Sequence, residues 1–272
     1  MVILLRIGLT PIAFALVSKA QSRFGDWVGG RLIGLPLTTG PFLLTVCMTS
    51  SRTTAAHAAA GVTNGQMAVV IFCTGYAWMA RQMRPLRATL TSLAFALAAV
   101  VASSSVASIW SAASAVWIVI AASLMLWPWA QDRGTENARA AQASSATMLQ
   151  RAAISTCVVA TMSTLVPILG AHLAGVLSSA PVLLSIMLPG THRQTGAAGA
   201  AAMARGTIVS MAATVAFSAT LAATLPHMSV WAALLVSAGV LCALFAATPL
   251  LDRLVSQLSP ALTARVHAPA RP

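Results

Sequence analysis

Acidic side chains are nearly missing from this sequence: Asp26, Asp132, Glu136 and Asp252 are the only four in 272 residues. All four fall at the ends of apolar runs or between them, so no carboxylate lies within a run. Proton- or sodium-coupled carriers commonly hold a carboxylate inside the membrane, and this chain offers none. Charge of either sign is scarce, at 7% of residues, where a soluble domain carries about a quarter. The four cysteines, Cys47, Cys73, Cys157 and Cys242, sit in apolar segments with no CxxC spacing. They read as small buried hydrophobes, outside any disulfide or metal framework.

Catalytic signatures are missing as well. No P-loop, no Ser–His–Asp set in a plausible setting and no His/Cys cluster occurs, and the five histidines share no ligand spacing. A membrane enzyme needs a polar catalytic cluster, so the chain is not read as an enzyme, and neither metal nor cofactor is expected. The twelve methionines are dispersed and suit apolar filling better than a copper path. Alternating segments of roughly ten residues, the mark of an outer-membrane barrel, are not found.

What the chain has is apolar length. It is 58% hydrophobic with a mean hydropathy of +0.85, and its apolar runs match the roughly 17–25 residues that cross a hydrocarbon core. The class is all-α, a polytopic helical membrane protein. Spans are predicted at about 2–18, 27–48, 55–80, 87–103, 107–129, 148–169, 172–189, 197–225 and 230–250. The uncharged stretch 87–129 is divided at "SSSVAS" (103–108), because one helix of that length would be about 65 Å long.

Nine spans put the termini on opposite sides. One side then collects thirteen basic residues, among them Lys19, Arg81, Arg84, Arg133, Arg193 and Arg253, and the other only Arg6 and Arg52. The rich side is cytoplasmic by the positive-inside rule. The first apolar run is followed, not preceded, by its charges at Lys19 and Arg23. It is therefore expected to be retained as a span with a periplasmic N-terminus. Tryptophans 27, 78, 110, 127, 129 and 231 lie near predicted span ends, as an interfacial belt requires. The net charge of +12 is scattered singly between spans, which suits anionic lipid rather than nucleic acid.

Sliding the chain against itself gives one register, an offset of 145. It brings Arg6 to Arg151, Gly25 to Gly170, Gly30 to Gly175, Pro36 to Pro181, Gly61 to Gly206 and Phe72 to Phe217. Glycine and proline have backbone roles, so their coincidence carries more weight than matched alanines. The expected organisation is a first four-helix repeat (1–106), a spacer helix (107–130), a cytoplasmic loop (131–147), a second four-helix repeat (148–252) and a cytoplasmic tail (253–272). One spacer span turns the second repeat upside down. The loop of Arg52 is predicted outside and its copy, that of Arg193, inside. Inverted repeats are a known way to build a secondary transporter with a site near the midplane. A duplicated scaffold without transport is the other reading.

The second copy, "AHLAGVLSSAPVLLSIMLPGTHRQTGAAGAAAMARG" (171–206), and the first, "GDWVGGRLIGLPLTTGP" (25–41), together resemble the GlpM-like family of small bacterial inner-membrane proteins. The shared features are an A-G-L-type run and a proline in the second span, then a short polar loop with a glycine, then a third span. The first copy departs in its loop, where "TSSRTT" lacks the His and Gly of "PGTHRQTG". The resemblance implies a bacterial inner membrane and a link to export of a cell-surface polysaccharide.

Candidate site residues follow from the interruptions. Pro36 removes an i−4 hydrogen bond, and with Gly40 and Pro41 it predicts an unwound segment in which Thr38 and Thr39 offer hydroxyls. In the second copy Pro181 follows Ser178 and Ser179. Paired interruptions in corresponding spans point to a transporter site. A proline kink with close packing at Gly29, Gly30 and Gly34 is the other reading. Arg205 is predicted nine residues into its span, where it either faces a cavity as a charge partner or snorkels to the cytoplasmic face. Arg31, one turn in, is expected to snorkel. Asn64 and Gln66 lie mid-span and bond either substrate or a neighbouring helix. The expected function is movement of a small, anionic or lipid-linked solute. The alternative is a non-transporting accessory protein of an envelope or exopolysaccharide assembly. Expected partners are membrane lipids and a small-molecule substrate, with a homodimer mate or an envelope complex as further candidates.

Overall fold

The computed structural model describes residues 23–37, 39–103, 109–125 and 170–266, together with Lys19, Cys157, Thr161 and Ile168. Every regular element among them is an α-helix. The predicted first span, the sixth span apart from Cys157, Thr161 and Ile168, the loop at 131–147 and Thr38 lie outside the described residues. In chain order the helices are α1 (Asp26–Ile33), α2 (Thr39–Thr49), α3 (Arg52–Met79), α4 (Pro85–Ser103), α5 (Ile109–Met125), α6 (Ala171–Ser178), α7 (Val182–Thr224) and α8 (Val230–Val266). Three stretches are long and apolar enough to cross a membrane: Arg52–Met79, Ala171–Thr224 and Val230–Thr248. Thr39–Thr49, Pro85–Val101 and Ala112–Leu124 are shorter apolar helices.

Residues 27–48 hold the interruption expected at Pro36: α1 has 8 residues and α2 has 11, with a turn between them. Two predicted boundaries need correction. The spans predicted at 172–189 and 197–225 are divided differently. The break falls at 179–181, and α7 then runs on, interrupted by non-helical backbone at Gly196 (φ 80°). Residues 182–195 are hereafter α7a and residues 197–224 α7b. Helix α8 continues through the predicted tail to Val266, since Leu250, Leu251, Leu254, Val255 and Leu258 keep a helical apolar period.

Local chemistry sets several ends. Ser51 caps α3, its hydroxyl accepting from Thr54 N at 3.2 Å. Gly25 (φ 88°) and Gly170 (φ 78°) begin α1 and α6 from the left-handed side of φ, which a glycine enters without Cβ strain. Pro41 sits in the first turn of α2, where its missing N–H is not required.

At the centre α3 and α7b pack on each other. Helix α6 packs on α3, α1 on α7, α4 on α3 and α8 on α7, while α5 touches both α3 and α7. The close approaches are made by glycine. A Cβ on Gly30 would lie 2.0 Å from Met203 O, and one on Gly175 2.2 Å from Ala58 O. A Cβ on Gly61 would lie 2.0 Å from His172 O, and one on Gly206 2.2 Å from Trp27 O. Each contact has its counterpart 145 residues along with the partners exchanged, Gly30 with Gly175 and Gly61 with Gly206. Without side chains at these positions the helix backbones meet directly, the packing mode of small residues in membranes.

Candidate functional site

The two interruptions have the same hydrogen-bond pattern. In the first, Leu35 N donates to Leu32 O (3.2 Å), Leu37 N to Leu35 O (2.7 Å) and Gly40 N to Pro36 O (2.8 Å). In the second, Ala180 N donates to Leu177 O (3.0 Å), Val182 N to Ala180 O (2.7 Å) and Ser185 N to Pro181 O (2.8 Å). Pro36 and Pro181 have no N–H to continue the preceding ladder, so one short helix ends and another begins. Helices α1 and α2 are not packed side by side. The first segment therefore continues past its break rather than doubling back. Freed carbonyls find partners on neighbouring helices: Thr214 Oγ1 donates to Gly34 O at 2.6 Å.

The breaks face one another across a cavity of about 50 Å³. Leu35 and Thr39 reach it from the first break, Ala180 and Leu184 from the second, Gln66 from α3 and Met211 from α7b. These are three pairs at the 145-residue spacing, as are Val69 and Thr214, which also line it. None of the residues lining the cavity is charged.

Gln66 is the most polar group there and is 1% exposed. Its Nε2 donates to Thr214 O and Ser218 Oγ, both at 3.4 Å, while its Oε1 is buried without a partner. A buried acceptor left in that state costs about 1–3 kcal/mol. Ser218 Oγ also accepts from Thr63 Oγ1 at 2.9 Å, so a short polar seam runs between α3 and α7b.

Of the residues singled out from sequence, Thr39, Gln66, Ser179 and Pro181 line this cavity. Ser179 Oγ donates to Val62 O at 3.1 Å and fastens the second break to α3. Pro36 and Gly40 form the first break through their own hydrogen bond and are not in the lining. Ser178 Oγ donates back to Gly175 O at 2.7 Å, within its own helix. Asn64 is turned elsewhere, with Nδ2 3.3 Å from His172 Nε2 and Oδ1 buried and unpartnered.

Arg205 is the main correction. It is partly buried on α7b but does not line the cavity. It precedes the lining residues Met211 and Thr214 by six and nine positions, roughly 120° and 180° around an ideal helix. It therefore points away from the site, and its role as charge partner is withdrawn. Arg31 is corrected too. Instead of snorkelling freely it lies between the Trp27 ring (4.9 Å) and the Phe245 ring (4.8 Å). It donates to Phe245 O at 3.2 Å and to Thr248 Oγ1, so it holds α1 against α8.

Gln66 was legible as mid-span polarity, open between a bond to substrate and a bond to a neighbouring helix. One signal could have found it: at the 145-residue spacing Gln66 faces Met211, a polar residue against an apolar one of similar length.

A second opening, of about 330 Å³, lies at the start of α6 between Thr54, His57, Gly170 and His172. Among the described residues no group of three or more His, Cys, Asp or Glu is placed to hold a metal. At the opposite face of the 145-residue relation, Thr195 Oγ1 donates to Asp26 Oδ2 at 2.9 Å beside the Gly196 break.

No protein-family model matches the chain, and neither a curated protein nor a solved structure does.

Proposed function

We propose that the chain is a bacterial inner-membrane protein of nine spans, two inverted four-helix repeats around a spacer helix, that moves a small solute through a site between its two broken segments. The repeat reading is supported by element boundaries. At the 145-residue spacing Asp26–Ile33 falls on Ala171–Ser178, and Arg52–Met79 falls on 197–224. The stretch Pro85–Ser103 likewise falls on 230–248, the apolar part of α8. Inversion is supported by direction. Thr63 meets Ser218 while Gln66 reaches Thr214, so numbers rise along α3 as they fall along α7b. Two equivalent helices running in opposite senses belong to halves related by an axis in the membrane plane.

The observation that carries the transport reading is the meeting of both broken segments at one cavity, lined by residues of each break together with Gln66 of α3. Non-helical backbone at membrane depth persists where protein or a wet cavity supplies partners. The resemblance to the GlpM-like proteins and the basic bias of one face favour the bacterial inner membrane with the C-terminus cytoplasmic.

The test is two-sided access. Thr39→Cys, in a background without the native cysteines, is reconstituted in oriented vesicles and treated with a membrane-impermeant thiol reagent from either side. A transporter exposes this position to each side in turn, so labelling occurs from both. Labelling from neither side would remove the transport reading and favour an accessory role in an envelope or polysaccharide assembly.

A further inference from the structure

The far ends of α7a and α2 correspond at the 145-residue spacing but are held in different ways. At the end of α7a, Thr195 Oγ1 donates to Asp26 Oδ2 of α1 at 2.9 Å. One turn earlier, His192 Nδ1 lies 3.2 Å from Tyr76 Oη of α3. The counterparts of Thr195 and Asp26 are Ser50 and Ala171, and those of His192 and Tyr76 are Cys47 and Leu221. Ala171 has no polar side chain, and Cys47 and Leu221 belong to an apolar cluster with Phe42, Val46 and Leu225. Two polar fastenings at the Asp26 face thus give way to apolar packing at the His172 face.

The opening of about 330 Å³ lies at the corresponding place of the His172 face. Thr54, Gly170, Ala171 and His172 line it, and their counterparts are Gly199, Gly25, Asp26 and Trp27. At the Asp26 face the same place holds the carboxylate, whose Oδ2 would stand 2.7 Å from a Cβ on Gly199. The helix starts explain the difference. Ser51 caps α3 locally by accepting from Thr54 N. Its counterpart at the start of α7b is Gly196, which has no side chain to cap with. The carboxylate at the first turn of α7b comes instead from α1, and negative charge is favoured at a helix N-terminus.

The Asp26–Thr195 bond is built to part. Thr195 Oγ1 also lies 3.1 Å from Thr191 O of its own helix, so its proton has a second acceptor when the carboxylate withdraws. Asp26 and Thr195 are both part-exposed, so the carboxylate meets water rather than an apolar interior. Gly196 (φ 80°) joins α7a to α7b, and a glycine there lets α7a turn without Cβ strain. We infer that Asp26–Thr195 is a one-sided latch: it holds α7a against α1 and shuts the cytoplasmic face, while the His172 face, which lacks it, is where the halves part more readily. The latch acts within the transport cycle proposed above, where a contact made in only one of two states raises the population of that state.

The experiment measures distances between pairs of spin labels in the full chain, reconstituted in lipid in a background without the native cysteines. Phe24→Cys with Gln194→Cys spans the Asp26 face, and Thr49→Cys with Ile168→Cys spans the His172 face; all four positions are exposed. Asp26→Ala, which copies the residue found at 171, and Thr195→Val should each raise the population of longer distances across the Asp26 face at least about tenfold. Asp26→Asn keeps an oxygen acceptor and should restore most of the parent distribution. Distances across the His172 face should not lengthen. Unchanged distances across the Asp26 face in Asp26→Ala and Thr195→Val overturn the latch. Lengthening across both faces together overturns it too, since that marks general loosening of the bundle. Either result leaves two-sided labelling of Thr39→Cys free to hold. Labelling from neither side sinks the transport reading, even where Asp26→Ala opens its own face.

Discussion

Gly30 of α1 lies against the backbone of Met203 on α7b so closely that a Cβ on the glycine would stand 2.0 Å from the Met203 carbonyl oxygen. Gly175 stands in the same relation to Ala58, at 2.2 Å. In both, a short helix from one half of the chain rests on the long helix of the other half, and the obstacle to a larger residue is backbone, which cannot rotate away. Gly30→Ala and Gly175→Ala are each expected to cost about 1–3 kcal/mol, as overpacked sites do. Gly239→Ala, with nothing within 4 Å of its added Cβ, is the control and is expected to unfold like the parent. Thermal unfolding of the solubilised protein checks this. Equal unfolding temperatures for Gly30→Ala and Gly239→Ala would mean that the two backbones are not in contact.

Arg31 joins α1 to α8 through the Phe245 ring and two hydrogen bonds, and also lies over the Trp27 ring of its own helix. Each cation–π contact is worth about 0.5–2 kcal/mol according to its exposure. Arg31→Ala should therefore destabilise clearly. Arg31→Lys should recover little, because an ammonium cannot present a planar fork between two rings. Unfolding temperatures of the two variants decide it, and full rescue by lysine would show that charge alone matters at this position.

Gln66→Met places in α3 the residue found 145 positions later at Met211. It removes two long hydrogen bonds of 3.4 Å and one orphaned acceptor. The orphan costs about 1–3 kcal/mol and weak bonds return less, so stability should be unchanged or raised. If the proposed transport reading holds, solute movement should fall, the usual exchange between stability and function at a site. A drop of several degrees in unfolding temperature would assign Gln66 to helix packing instead.

Ser51 caps α3, and Gln194 lies in α7a two residues before the Gly196 break, the position on which Ser51 falls at the 145-residue spacing. Reporters active on one side of the membrane only, inserted at each position, should report opposite sides. The same side for both would make the halves parallel and remove the inverted architecture.

The helical class, the interruption near Pro36 and the spacing of 145 are all legible along the chain. They rest on apolar length, on a residue without an N–H, and on glycines that recur in register. Arg205 was misread because depth in a span says nothing about direction. Which face of α7b looks inward depends on how that helix is rotated in the bundle, where its close glycine contacts are made with α1, Gly206 against Trp27 and Met203 against Gly30. Gln66 was underweighted for a related reason: mid-span polarity is equally consistent with a helix–helix bond, and only the packed structure shows its oxygen without one.

By itself, then, the sequence determined where the backbone must break and which glycines and prolines recur at the 145-residue spacing, because proline, glycine and apolar run length act through the few residues around them. Only the tertiary structure decided that the two breaks face one cavity, that Gln66 rather than Arg205 looks into it, and that α1 and α6 each rest on the other half's long helix. Those outcomes depend on contacts between residues well over a hundred positions apart, Gly30 with Met203 and Gly61 with His172, and no local pattern encodes which distant backbone a glycine will meet.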